Sequence, residues 1–282
     1  MTTPSTCLFG RNAVVTGASS GIGRALAIEL ASAGTSLVLG GRMAGALRDT
    51  VEAAKRAGEA HGIEVLSLSG DVREEAHVQA LIREAEDLGG LDLMVNNAGE
   101  GRPGSVVDGE TDTWRAMLET NLLAVCIGSR EAARSMRTRD TRDGMGARPG
   151  TIVNMGSLAA LDAVPGDAVY SATKHGVRAF SHALRLELLE TGIHVMVVHP
   201  GPTMTSFGRS LPHEHVQELA QALGIDPASV PDFTGGHAPE SFVEQVLQKA
   251  PRTFLDPRVV AEQIVRALLE DSATEDLVVK AV

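Results

Sequence analysis

Tyr170 and Lys174 stand four residues apart in the run Tyr-Ser-Ala-Thr-Lys, and Tyr170 is the only tyrosine of the 282 residues. Residues i and i+4 share one face of a helix, so a phenol and an ammonium at this spacing can lie side by side. A free phenol ionises near pH ~10 and is a poor acid or base at neutrality. A neighbouring cation favours the phenolate and lowers that value, each pH unit being worth about 1.4 kcal/mol. A phenol tuned in this way can pass a proton to or from a carbonyl or alcohol oxygen. Ser157, just beyond the apolar run Thr151–Met155, can hold that same oxygen. A four-residue pattern also arises by chance, so its meaning depends on the elements around it.

Those elements alternate. Strand-like apolar runs at Asn12–Thr16, 36–39, 64–69, 91–96, Thr151–Met155, 194–199 and Asp276–Val279 are separated by helix-like stretches at 23–33, 44–60, 74–88, 111–136, 168–191 and 256–269. Strands separated by helices predict βαβ units and a parallel sheet covered on both faces. In such sheets ligands bind beyond the carboxyl ends of the strands, where every motif described below falls. Two segments interrupt the alternation. The charged, glycine-containing stretch 137–149 reads as a surface loop. The longer stretch 203–255 holds four of the six phenylalanines, Phe207, Phe233, Phe242 and Phe254. It is expected to be a lid over an apolar pocket, the alternative being a small helical unit packing its own core.

The first strand runs into Thr16-Gly17-Ala18-Ser19-Ser20-Gly21-Ile22-Gly23. Glycines there allow a tight turn and a close backbone approach to a ligand. The following helix offers free N–H groups and partial positive charge, which suits a pyrophosphate. Arg42 follows the second strand, where the adenosine ribose of a dinucleotide would arrive. An acidic residue commonly accepts from the 2′-hydroxyl of NAD at this point. Gly41 leaves that role empty, whereas Arg42 can pair with a 2′-phosphate, so NADP(H) is favoured over NAD(H). Asp71-Val72 follows the third strand, and Asp71 can accept from an adenine amino group. Asn96-Asn97-Ala98-Gly99 ends the fourth strand and can pack against a cofactor ribose. Asn121 interrupts an apolar helical stretch and needs partners if it is buried, although a solvent-facing asparagine is the commoner case. Pro200-Gly201-Pro202-Thr203-Met204-Thr205 fixes an irregular backbone that can hold a nicotinamide carboxamide.

Jointly these motifs resemble the short-chain dehydrogenases/reductases in their single-domain branch. The likeness spans about residues 11 to 198 and reaches Thr205, and Ser157 precedes Tyr170 by thirteen residues, as is usual in that family. It implies one domain over 1–282: a three-layer Rossmann fold with a central, mostly seven-stranded parallel sheet and 203–255 as substrate lid. It also implies hydride transfer at nicotinamide C4. Tyr170 would be the general acid in reduction and the base in oxidation. Lys174 would bind the nicotinamide ribose and lower the Tyr170 pKa. Ser157 would hydrogen-bond the substrate oxygen, and Asn121 would hold a water in a relay to Lys174. Gly17, Ser19, Ser20, Gly21, Ile22, Gly23, Arg42, Asp71, Val72, Asn97, Ala98, Gly99, Pro200, Gly201, Thr203 and Thr205 would line the cofactor site with Tyr170 and Lys174. A homodimer or homotetramer is implied, packed through the helices that hold Asn121 and Tyr170. A narrower likeness, at 97–103, 129–132 and 276–279, is to a subgroup acting on 3-hydroxy acids, small aldehydes and some steroids. The longer 137–149 and 203–255 segments depart from that subgroup, so substrate identity does not carry over. Ser20 stands where the family often has a basic residue, which leaves Arg42 as the main argument for NADP(H).

Composition bounds the remainder. Apolar residues make up 43 % and charged residues 22 %, as in an ordinary soluble globular protein. A net charge of −11 argues against a general nucleic-acid binder. Neither a spanning apolar run nor a signal-peptide pattern over 1–11 is present, and Cys7 and Cys126 suggest no disulfide framework, so a cytoplasmic setting is expected. His213 and His215 lack a third ligand, so no metal is expected. The substrate is expected to be an apolar or medium-sized ketone, aldehyde or alcohol, from the phenylalanines and from Leu158, Leu161 and Val164. A protein that senses NADP(H) without turnover would need the phosphate turn but not Ser157, Tyr170 and Lys174. A sugar-nucleotide epimerase or dehydratase would need a larger substrate domain.

Overall fold

The computed structural model describes residues 8–139, 150–163, 165–205, 217, 220–231, 240–249, 254–270 and 274–281. Seven strands, β1 (Asn12–Thr16), β2 (Ser36–Gly41), β3 (Val65–Ser69), β4 (Leu93–Asn96), β5 (Thr151–Met155), β6 (His194–Pro200) and β7 (Asp276–Val279), form one sheet in the order β3-β2-β1-β4-β5-β6-β7. Every pairing is parallel. The chain leaves β1 toward β2 and β3 on one side and crosses back to β4 on the other. The β1/β4 boundary is therefore the switch point at which such a sheet opens a crevice.

The strands are short apolar runs because both faces are covered. Alternation then sends neighbouring residues to opposite cores. Ala13 and Val15 pack with α1 (Gly21–Ser32), α2 (Ala44–Ala57) and α8 (Pro257–Glu270). Val14, Met94 and Ile152 pack with α3 (Glu75–Asp87), α5 (Ala124–Arg139) and α6 (Ala168–Leu188). These are the three layers expected. Strand bounds agree with the sequence reading to within two residues.

The helix expected over 111–136 runs without a break through α4 (Thr111–Leu118), a π turn (Glu119–Leu123) and α5. The π turn adds a residue to the helical repeat and turns Asn121 inward to complete exposure loss, at 0 %. Of the loop expected at 137–149, residues 140–149 lie outside the described residues. The stretch 203–255 is closed at its base by a parallel bridge between Thr203 and Leu255, with Leu255 N donating to Pro202 O at 2.7 Å. Its described residues include α7 (Glu240–Lys249) and pack a small core of their own, Ala220, Ile225, Val230, Phe242 and Val246, with Phe254 against it. Phe242 thus packs in this satellite core. Phe207 and Phe233 lie outside the described residues.

Candidate active site

A cleft of about 690 Å³ lies along the carboxyl ends of β1, β2, β4, β5 and β6. At its first wall the phosphate turn leaves β1. Gly17 has φ +66°, and a Cβ there would come within 2.8 Å of the Ala98 Cα. Only glycine combines that conformation with that approach. Thr16 stitches this turn to the turn after β4: its hydroxyl accepts from Asn97 N at 3.0 Å and Ala98 N at 3.1 Å and donates to Val95 O at 3.2 Å. The Asn97 amide donates to Thr16 O at 2.9 Å, so this side chain braces two turns as well as lining the cleft. Gly23 does not line the cleft. A Cβ there would meet the Asn97 Nδ2 and Gly17 O, both at 2.4 Å, so its smallness lets α1 pack against the turns.

At the adenosine end, Gly41 supplies no side chain, and the Ser19 hydroxyl occupies the space beside its Cα. Ser19, exposed Arg42 and Met43 line this end. Asp71 lies alongside, with its carboxylate clasped by Arg73 at 2.6 Å. That hydrogen bond outweighs partial burial and holds the Asp71 carboxyl below its usual range. A carboxylate keeps spare acceptor sites beside one arginine, so Asp71 can still receive an amino group.

At the other end, Ser157 follows β5 and Tyr170 lies in the first turn of α6. Both line the cleft, and the Ser157 side chain acts on the phenol, favouring its ionised form. The Ser157 hydroxyl also accepts from Ala159 N at 3.2 Å. Lys174 lies one turn on, 4 % exposed, with Nζ donating to Met155 O at 2.8 Å and 5.8 Å from the Tyr170 ring centre. Burial pushes the ammonium down to about 8. Burial likewise pushes the phenol up, the Ser157 side chain pulls the other way, and the Asp167 carboxylate adds to the rise. The ammonium is bonded to the Met155 carbonyl, and desolvation dominates the shift of the tyrosine.

Asn121 stands behind this group. Its Oδ1 accepts from Glu100 N at 2.8 Å, and its Nδ2 donates to Glu100 O at 2.7 Å and Thr173 Oγ1 at 3.2 Å. Thr173 donates in turn to Tyr170 O at 2.7 Å. Asn121 therefore ties the stretch after β4 to the helix bearing Tyr170, and Thr120 rather than Asn121 lines the cleft.

A family model for the short chain dehydrogenases matches residues 11–215. The chain is a short-chain dehydrogenase/reductase. It is 34 % identical over 269 residues to the ketoacyl reductase HetN of a Nostoc species, covering 94 % of this chain and 85 % of that one. Among solved structures, an actinorhodin polyketide ketoreductase variant with NADPH superimposes with a TM-score of 0.75 at 29 % identity, over 96 % of each chain. A family member from Burkholderia phymatum in complex with NAD gives 0.73 at 27 %, over 96 % of this chain and 89 % of that one. As a member of this family, the short-chain dehydrogenase/reductase is an enzyme acting on CH–OH groups with a nicotinamide cofactor, and the binding-only alternative falls away.

The cleft fits such a cofactor: a backbone cradle at Gly17 and Gly21, Gly41 without a side chain at the adenosine end, and Thr205 pressed against Gly21, where a Cβ would meet it at 2.9 Å. Ser19, Ser20, Gly21, Ile22, Arg42, Asp71, Val72, Asn97, Ala98, Gly99, Pro200, Gly201, Thr203 and Thr205 all line it with Gly17, and only Gly23 of the expected cofactor set stands behind. Sequence reasoning missed Thr16, Met155 and Asp167. The threonine and methionine act through backbone partners that no spacing reveals. Asp167 could have been noticed as an acid one turn before Tyr170. Leu158 lines the cleft, Leu161 does not, and Val164 lies outside the described residues. Among the described residues no helix is long and apolar enough to cross a membrane, and no group of side chains suits a metal ion.

Proposed function

We propose that this short-chain dehydrogenase/reductase uses NADPH to reduce an apolar or medium-sized ketone or aldehyde to the alcohol. The observation that carries the reading is the gathering of Ser157 and Tyr170 in one cleft wall, with Lys174 enclosed behind them. The bound nicotinamide supplies the hydride. Ser157 holds the carbonyl oxygen and Tyr170 donates its proton to that oxygen as negative charge develops there. Lys174 orients the ribose, and Asn121 keeps α6 in register with the stretch after β4 and contributes to a proton relay toward Lys174. Met155, Leu158 and Ala159 give the substrate end an apolar wall. The 203–255 segment, hinged at the Thr203–Leu255 bridge beside the nicotinamide end, acts as lid.

NADPH is favoured because Gly41 supplies no acid while Ser19 and Arg42 offer a hydroxyl and a guanidinium to a 2′-phosphate. The related ketoreductase solved with NADPH supports this, and the relative solved with NAD makes the choice one to measure. Arg42→Ala is expected to weaken NADPH binding about tenfold or more, the worth of a charge-assisted hydrogen bond, and to leave NADH nearly unchanged. Fluorescence titration of both nucleotides checks this. Equal effects on the two would remove Arg42 from the argument.

A further inference from the structure

His199 ends β6 just before the Pro200 turn and is wholly buried, at 0 % exposure. Its Nδ1 lies 3.1 Å from the backbone carbonyl oxygen of Ser157, and its Nε2 lies 2.8 Å from Oδ1 of Asp276 on β7. Carbonyl and carboxylate are both acceptors. The ring thus lies between the Ser157 carbonyl and the Asp276 carboxylate, within hydrogen-bond distance of both. The second oxygen of Asp276 meets His182 Nε2 at 2.8 Å, and Arg178 Nε approaches Oδ1 at 3.4 Å. Both partners come from α6, the helix that carries Tyr170. Beside them, Arg185 pairs with Glu275 at 3.1 Å. Burial alone would raise the Asp276 carboxyl, but the hydrogen bonds from His199 and His182 outweigh it and hold it below the usual range.

The geometry points to His199 as a positioning residue that fixes the Ser157 peptide, and through it the serine hydroxyl, with Asp276 holding the ring. Ser157 is thereby tied to α6 through His199, Asp276 and His182. The backbone preceding it is pressed onto the ring, since a Cβ on Gly156 would come within 2.7 Å of His199 Nδ1. Gly156 N is meanwhile fixed to Val198 O at 2.7 Å. With its carbonyl held from below, the serine presents its side chain to the cleft in one direction. A catalytic group misplaced by a fraction of an ångström to an ångström loses one to two orders of magnitude in rate, so such a clamp has a measurable consequence.

This inference rests on the proposed roles of Ser157 and Tyr170, and a double-mutant cycle separates the two. His199→Gln, Ser157→Ala and the double variant are compared with wild type for NADPH binding, melting temperature, and kcat and KM on a ketone that wild type reduces. His199→Gln is expected to bind NADPH normally and to lower kcat about tenfold or more, with KM moving less. On the Ser157→Ala background it should cost nothing further, because the group it positions is gone. Asp276→Asn should reproduce the same pattern, and it carries the cycle if His199→Gln does not fold. An unchanged kcat in His199→Gln beside an impaired Ser157→Ala would overturn this inference alone. So would an equal fold loss on both backgrounds, since the ring would then act elsewhere. A fully active Ser157→Ala would overturn the role of the serine and this inference with it.

Discussion

Asp167 stands one helical turn before Tyr170, lines the same cleft, and does not cap its own helix. Its carboxylate adds to the rise of the phenol, after burial. Oxidation of an alcohol needs the phenolate as base, so its rate should climb as pH rises through the Tyr170 titration. Asp167→Asn removes one cause of the upward shift, and the climb is expected to begin at lower pH. A pH–rate profile of alcohol oxidation for the two proteins checks this, and a midpoint that stays or moves up would contradict it. Lys174 gives a second prediction. Its folded value is about 8 against an ordinary 10.5. Below pH 8 both folded and unfolded states carry the charge, and folding bears the whole cost of burying it. Above 10.5 neither does, and the cost vanishes. That cost is on the order of 3 kcal/mol, and the bond to Met155 O returns about 1 kcal/mol of it. Lys174→Met should therefore raise the melting temperature at pH 7 by a few degrees while destroying activity. The gain should shrink as pH rises from 8 toward 10.5. A lower melting temperature at neutral pH would show that the lysine stabilises the fold.

Among the elements, the π turn Glu119–Leu123 shows what pattern reading misses. The apolar spacing of 111–136 is continuous, so one helix was the natural expectation. The π turn within it holds Asn121, which bonds to the two backbone groups of Glu100, twenty-one residues away, and to Thr173, fifty-two away. Asn121→Ala would leave a buried N–H and a buried carbonyl of Glu100 without that partner, a loss of about 2 kcal/mol or more. Chemical denaturation should show a lower midpoint, with kcat falling as α6 loosens, and an unchanged midpoint would mean that the turn holds without its asparagine. The phosphate turn, by contrast, was legible. Gly17 and Gly21 sit between an apolar strand and a helix, and their chemistry is local. The same contrast separates Tyr170 and Lys174, whose relation is one helical turn, from His199 and Asp276, which meet only because β6 pairs with β7. Residues that act across the sheet leave no spacing to read. How deeply the Tyr170 phenol is enclosed was hidden for a related reason.

At the scale of the molecule, the alternation of strands and helices was enough to give the parallel sheet, because both faces of each strand must be apolar. The placement of Phe242 was not, because an aromatic residue fits a lid and a satellite core equally well by composition. Leu118 and Leu123 on the helical stretch bearing Asn121, and Leu186 on the helix bearing Tyr170, are exposed, as is Leu189 just beyond it. Apolar side chains on neighbouring helices are what a second subunit would cover. We propose a dimer or tetramer through this surface: light scattering on the eluting protein should give at least twice the chain mass, and Leu123→Lys with Leu186→Lys should reduce it. A monomeric wild type would contradict the proposal. The account as a whole stands on Tyr170 as the proton donor in carbonyl reduction. The most direct test compares wild type with Tyr170→Phe for NADPH binding and for loss of NADPH absorbance across a panel of ketones and aldehydes. Equal nucleotide affinity, turnover of at least one carbonyl by wild type, and a loss of about a hundredfold or more in the variant is the predicted result. Comparable turnover by the phenylalanine variant, or no nucleotide binding by either protein, would contradict it.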